Sequence, residues 1–399
     1  MWYFFSPSII YGEESLNFIE NIKGNRCYII TDKIIQELGY LKILTDKLVK
    51  FGKEFRIFNE VIPDPREDGV LKAKQQCIDY SPDLIIALGG GSVIDTGKTA
   101  WVLYEFPNLK IDDIHPFRSD LYETGKKAKF IAIPTTSGTG SEVTNGTIIS
   151  RLEDGVWKKF IYTHRGITPT YAIVDPIFPK GMPLNLTIDT AFDALTHAIE
   201  ALSSNWKNEF SNGICLKAIE LIFKFLPIAY KDGENIEARD NLHQAATMAG
   251  LAFANSQLHI GHGMSHSWGA VFGTSHGRIV GILLPYISQF ILNNPDKDDN
   301  TVEVYAKIAK QLGWAKWIDD NKKAAFITVN KVKELQKMVK FPTKLQDLGV
   351  SLNELKENME LLVACCFQDA TSVMTPRSIT DEYYRKLFYY AYEGKDVDF

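Results

Sequence analysis

Four of the chain's eight histidines fall between positions 259 and 276: HIGHGMSH supplies His259, His262 and His266, and GTSHG supplies His276. Upstream, residues 189–200 read DTAFDALTHAIE. The apolar spacing there is helical, so Asp193 and His197, four apart, project from one face. One carboxylate and several imidazoles on facing helices make a donor set suited to a divalent transition metal. Asp193 and His197 alone are equally well explained by a local hydrogen bond across one helical turn. It is the addition of His262, His266 and His276 that favours a metal centre. His259, three residues before His262, reads as packing beside it. His115, His164 and His243 stand in polar or unrelated contexts and read as surface residues.

Two loops nearer the N-terminus are suited to anions. LIIAL at 84–88 runs into GGGSVIDTGK at 89–98. A strand that passes through Gly89, Gly90 and Gly91 into a helix start at Ser92 offers a phosphate both backbone N–H groups and the helix dipole. Neither familiar fingerprint is present. GxGxxG begun at Gly89 would need glycine where Ile94 stands, and a phosphate loop ending in Gly97-Lys98-Thr99 would need glycine where Ser92 stands. The second loop, PTTSGTGSEVT at 134–144, follows FIAI at 130–133. It puts Thr135, Thr136 and Thr139 beyond the carboxyl end of a strand, where open α/β sheets bind ligands.

The elements that must carry these residues divide in two. Short β-branched runs at 27–31, 55–58, 84–88, 130–133 and 171–174 alternate with helical stretches at 32–51 and 68–80. This alternation predicts βαβ units and a mostly parallel sheet, an α/β domain over residues 1–180. After Pro183 strand signals fade. Helical periodicity runs through 187–201, 213–229, 238–254, 301–311 and 381–393, predicting an all-helical domain over 181–399.

Composition narrows the function classes. Of 399 residues, 44 are basic and 49 acidic, a formal charge of −5 with no single-sign block, which argues against nucleic-acid or membrane-surface binding. Five cysteines, an odd number without a CxxC pair, read as reduced thiols, with Cys365–Cys366 packing in a helix. The opening MWYFFSPSIIYGEESL lacks a basic start, and no apolar run reaches transmembrane length. A cytoplasmic protein acting on small molecules is expected.

Taken together the motifs resemble the iron-containing (group III) alcohol dehydrogenase family, which includes lactaldehyde reductase, 1,3-propanediol dehydrogenase and butanol dehydrogenases. The match is carried by GGGSVIDTGK, PTTSGTGSEVT, DALTHAIE at 193–200 and GHGMSHSWGAVFGTSHG at 261–277. TDK at 31–33 also matches, as does TPR at 375–377, where relatives tend to have NPR. The resemblance implies a dinucleotide-binding α/β domain followed by an all-α metal-binding domain. Its implied activity is hydride transfer between a small alcohol or aldehyde and NAD(H). By position, Asp193, His197, His262 and His276 would hold Fe(2+), although the same donors accept Zn(2+). His266 would be the catalytic residue near the substrate, moving protons. Gly89, Gly90, Gly91, Ser92 and Asp95 would face the pyrophosphate and nicotinamide side of the cofactor, with Thr135, Thr136 and Thr139 in the second loop. Lys159 would lie near the nicotinamide ribose, after a segment, 150–157, that is longer than in relatives. Asp32 would lie near the adenosine ribose, where a carboxylate favours NAD over NADP. Asp64, in PDP where relatives have PNP, adds a second negative charge on that side. Phe253, Trp268 and Phe272 are expected to line a pocket for small aliphatic alcohols, in a homodimer or higher homo-oligomer. Alternatives in the same fold are a zinc polyol dehydrogenase and a hydroxyacid-oxoacid transhydrogenase. A non-catalytic relative or a nucleotide-binding protein are the alternatives of another class.

Overall fold

A computed structural model describes residues 3–153, 156–295 and 300–399. The first two residues of the N-terminal stretch, and residues 154–155 within the segment 150–157, lie outside the described residues. The chain divides into two compact units, Met1–Met182 with Glu234–Ala254, and Pro183–Gly233 with Asn255–Phe399.

The first unit holds β1 (Ser8–Tyr11), β2 (Arg26–Ile30), α1 (Lys33–Glu37), α2 (Tyr40–Lys50), β3 (Glu54–Phe58), α3 (Glu67–Tyr80), β4 (Leu84–Gly89), α4 (Gly91–Glu105), β5 (Lys129–Pro134), β6 (Gly146–Glu153), β7 (Val156–Thr163) and β8 (Tyr171–Val174). Six strands form one parallel sheet in the order β1-β8-β5-β4-β2-β3, while β6 and β7 form a separate antiparallel hairpin. Along β4, Leu84, Ile86 and Leu88 pack with Leu44 and Leu48 of α2 on one face, and Ile85 and Ala87 pack with Val70 of α3 and Trp101 of α4 on the other. Both faces are covered, which is why these strands read as unbroken apolar runs rather than alternating ones.

Three details depart from expectation. The helical stretch 32–51 is two helices, α1 and α2, separated at Leu38–Gly39. The edge strand β1 and the β6–β7 hairpin carry no expected element. The third concerns the helical segment 238–254, expected in the second domain. It is α7 (Ile236–Ala254), which follows α5 (Leu184–Ser203) and α6 (Glu209–Lys231) in the chain but belongs to the sheet-bearing unit. Periodicity identifies a helix but not which core it joins; that is decided by long-range contacts.

β2 and β4 are neighbours whose successors β3 and β5 lie on opposite sides of the pair. Their carboxyl ends therefore flank a topological switch point, where open parallel sheets bind ligands. Thr31, fully buried, ties these ends together by donating from Oγ1 to the Leu88 carbonyl at 2.8 Å.

The second unit is built from α5, α6, α8 (Ile260–Phe272), α9 (His276–Leu292), α10 (Thr301–Gln311), α11 (Asn321–Met338), α12 (Leu352–Gln368) and α13 (Asp381–Glu393). α5 packs on α6 and α9, α8 on α9 and α12, and α10 on α11. Among the described residues no helix is long and apolar enough to cross a membrane.

The seating of α7 depends on two glycines in contact: a Cβ on Gly250 would lie 2.6 Å from the Gly140 Cα. Gly250→Ala is expected to cost about 1–3 kcal/mol by overpacking. Urea unfolding followed by circular dichroism measures it, and unchanged stability would contradict this packing.

Candidate metal centre and cofactor loops

Along α5, Asp189, Asp193, His197 and Glu200 occur at i, i+4, i+8 and i+11, so they form one narrow stripe on a helix that is buried on nearly every side. α8 brings His262 and His266, one turn apart, and His276 opens α9. One donor atom from each of Asp193, His197, His262 and His276 lies within 4.8 Å of the others. The Asp193 Oδ1 atom is 3.4 Å from His276 Nε2 and 3.8 Å from His197 Nε2, too far for the local hydrogen bond that spacing alone allowed.

A divalent cation fits this arrangement on observations independent of the motif. Asp193 Oδ1 and His262 Nε2 are buried atoms with no hydrogen-bond partner, a costly state unless something occupies the space between them. Burial, with Asp189 and Glu200 close by, pushes the Asp193 carboxyl up to about 8, so the apo site disfavours the very charge that a cation would stabilise. One carboxylate oxygen and three imidazole nitrogens are donors that both iron(II) and zinc accept.

Three acidic residues that the motifs did not nominate hold the histidines of this region: two act on the four-donor group and one on His266. Glu200 accepts from His262 Nδ1 at 2.8 Å and from the His259 backbone N–H at 2.9 Å. This keeps the proton on Nδ1 and turns the bare Nε2 toward the donor cluster, an arrangement typical of metal-bound imidazole. Gly261 is required here, since a Cβ would sit 2.1 Å from Glu200 Oε1. Asp189 accepts from Arg278 Nε at 3.0 Å and Ser275 Oγ at 3.3 Å, holding the start of α9 and with it His276. Glu200 could have been found from its place on the α5 stripe. Asp369, the third, has no local signal.

Asp369 accepts from His266 Nδ1 at 2.7 Å and from the Thr371 backbone N–H at 2.9 Å. Burial would raise its carboxyl, but the hydrogen bonds from His266 and Thr371 hold it down at about 2. His266 stands outside the four-donor group, its ring stacked on His276 with centroids 5.0 Å apart. With Nδ1 held by Asp369, its Nε2 is the nitrogen left to exchange a proton. The remaining histidines divide. His259 is buried, with Nε2 3.0 Å from Ser203 Oγ, which makes it packing beside the site as expected. His164 and His243 are not surface residues: each is 1% exposed. His164 takes the Gly166 N–H and contacts the Arg118 carbonyl, while His243 Nδ1 lies 3.0 Å from Ser137 Oγ. Trp268 does not line a pocket either. It is fully buried, its ring against Phe272 and Phe388.

In the α/β unit the glycine turn and the second loop come together. Gly90 and Gly91 approach Thr136 and Thr139, and Gly90, Gly91, Ser92, Thr136 and Thr139 all stay partly open, whereas Gly89 and Thr135 are buried. Asp95 is engaged by the protein, Oδ1 taking Ser141 Oγ at 2.5 Å and Oδ2 the Ile148 N–H at 2.9 Å. Lys98 is fully buried and donates to oxygens of residues 141–146, so its ammonium is committed to the protein and its phosphate-loop-like setting is misleading. Asp32 caps α1, accepting the Ile35 N–H at 2.8 Å, just beyond the carboxyl end of β2. Asp64 and Lys159, expected at opposite ends of the cofactor, instead form an ion pair at 2.5 Å. Both side chains are largely exposed, so the pairing offsets the Asp64 charge only in part. All five cysteines are free thiols, and Cys366 packs on the α8 backbone at Gly263.

Comparison with known proteins agrees with these features. Residues 6–176 match the family described as iron-containing alcohol dehydrogenase, and residues 187–392 match the C-terminal part of the Fe-containing alcohol dehydrogenase family. The NADPH-dependent butanol dehydrogenase of Clostridium saccharobutylicum is 36% identical over 393 residues, covering 98% of each chain. An aldehyde-alcohol dehydrogenase of Streptococcus pneumoniae is 34% identical over 97% of this chain but only 46% of its own, so this chain spans less than half of that relative. The solved iron-containing alcohol dehydrogenase of Thermococcus thioreducens superimposes with a TM-score of 0.87 at 30% identity, covering 99% of this chain and all of that one.

The role of Glu200 is open to a direct check. Glu200→Gln is expected to weaken divalent-metal affinity by roughly 10–100-fold, measured by competition with a chromophoric chelator. Unaltered affinity would mean that Glu200 does not orient His262.

Proposed function

We propose that this chain, which belongs to the iron-containing alcohol dehydrogenase family, holds iron(II) through Asp193, His197, His262 and His276 and transfers a hydride between a small alcohol or aldehyde and NAD(H). The chain is an alcohol/aldehyde oxidoreductase; the metal, its ligands, the dinucleotide and the substrate size are the proposal. The observation that carries it is the convergence of four donors within 4.8 Å, two of them buried atoms without a hydrogen bond. Zinc is the alternative metal for the same donors.

When bound, the metal supplies Lewis acidity that lowers the pKa of an alcohol hydroxyl. Glu200 holds His262 in one tautomer, and Asp189 with Arg278 holds the start of α9. His266 is the proton carrier: Asp369 fixes its Nδ1 proton, so exchange takes place at Nε2. At 23% side-chain exposure, against 2% for His262, it is open to solvent as a proton carrier must be. The partly open turn at 90–92 and the threonines at 136 and 139 receive the dinucleotide phosphates, using the N-terminus of α4, with the buried Gly89 and Thr135 behind them.

The preference for NAD(H) rests on Asp32, whose carboxylate would accept the ribose 2′-OH and repel a 2′-phosphate. The relative named NADPH-dependent stands on the other side of this question. Five free thiols support a reducing, cytoplasmic setting, and a homodimer is the proposed assembly.

Protein loaded with iron(II) without air and assayed for NADH absorbance against short-chain alcohols and aldehydes should show chelator-sensitive turnover; none in metal-loaded protein would refute the proposal. His266→Ala should keep its metal while kcat falls by about 10²–10⁴, and a kcat equal to wild type would remove His266 from proton transfer. For the dinucleotide, Asp32→Gly should shift the ratio of kcat/KM for NAD over NADP toward NADP by about tenfold or more. An unmoved ratio would show that Asp32 does not select the cofactor.

A further inference from the structure

The second loop, residues 134–144, has little regular structure of its own, a single short turn at Ser141–Val143. It nevertheless holds a defined path, and apart from Asp95 the residues that hold it are not among those the family resemblance places against the cofactor. From the α4 side, the Lys98 ammonium sits in a cage of oxygens: the carbonyls of Ser141 at 2.9 Å, Thr144 at 3.3 Å and Gly146 at 2.6 Å, and Thr144 Oγ1 at 3.1 Å. Its countercharge, Asp95 at 3.8 Å, itself accepts from Ser141 Oγ and the Ile148 N–H. From the opposite side, α7 presents His243, Thr247 and Gly250, spaced i, i+4 and i+7 on one face. His243 meets Ser137, Thr247 Oγ1 donates to the buried Glu142 at 2.7 Å, and Gly250 abuts Gly140. The gripped positions, 137, 140, 141, 142 and 144, are all buried, while Thr136 just before them and Thr139 among them stay partly open.

We propose that Lys98 and the His243–Thr247–Gly250 face of α7 are positioning residues that hold this loop in the shape that receives the dinucleotide. The inference rests on the reading that the loop binds NAD(H). A buried ammonium bonded to oxygens of the loop and of Gly146, just past its end, is a rigid point of attachment, because any shift of the loop strands either the charge or the carbonyls without partners. The open threonines then need no ordering when the cofactor arrives, which is how preorganisation raises affinity. α7 leaves the helical part of the chain and returns to it after Ala254, and on this account the detour exists to supply the second side of the grip.

The test is the dissociation constant for NADH, read by its fluorescence on titration into metal-loaded protein, in wild type, Lys98→Met and Thr247→Val. Binding should weaken by about tenfold or more in Lys98→Met and by less in Thr247→Val, with the KM for cofactor rising more than kcat falls and the metal content unchanged. Thr247→Val removes one hydroxyl at nearly constant volume, so it decides the matter if Lys98→Met does not fold. Wild-type affinity in folded variants, even with a lower melting temperature, would overturn the inference and leave these residues as fold stabilisers. Failure of wild-type protein to bind NADH would instead overturn the reading of the loop as a cofactor site.

Discussion

A carboxylate taken out of water needs a countercharge or a set of donors, and α5 buries three of them on one stripe. Asp189 is answered by Arg278 and Ser275, and Glu200 by the His262 ring and the His259 backbone. Asp193 Oδ1 has only imidazole nitrogens near it and no hydrogen bond. That imbalance organises the helical unit: α8 and α9 bring their histidines to the one carboxylate left uncompensated, while the other two hold those histidines in place. A cation at the centre of this cluster would supply the countercharge that Asp193 lacks.

The α/β unit solves a comparable problem with the sign reversed. Lys98 is a buried cation, pulled down to about 8 by burial against the opposing influence of Asp95 and Glu142. Carbonyls of the loop and of Gly146 satisfy its protons, so one charge helps to define the path of a segment whose regular structure is a single short turn. In both units a buried charge sits just behind the residues that face outward, and the exposed groups inherit their geometry from it.

Much of this was legible in the primary structure, for physical reasons that can be named. β2, β4, β5 and β8 lie within a sheet covered on both faces, so each announces itself as an apolar run. β1 is a short edge strand and β7 carries Lys158 and Lys159 in its middle, so neither does. α8 is hidden by Gly261, Gly263 and Gly269, poor helix formers retained because Glu200 and Ser372 approach the first two closely. α12 did leave a signal, the Ser351–Glu354 capping box followed by buried positions 355, 359, 362, 363 and 366. The four converging donors were legible by type and spacing, whereas their separation from His266 came only from the family resemblance, since His262 and His266 share a helix and differ in what holds them. The burial of His243, the unit to which α7 belongs and the pairing of Asp64 with Lys159 all depend on contacts between distant segments, which local pattern does not encode.

The central claim is that one divalent ion is held by four side chains from α5, α8 and α9. The most direct measurement is elemental analysis of protein purified and reconstituted without air, comparing wild type with His262→Ala. The account predicts near one iron or zinc per chain in wild type and a folded variant with almost none. Metal retained at the wild-type ratio in His262→Ala, or absent from reconstituted wild type, would contradict it.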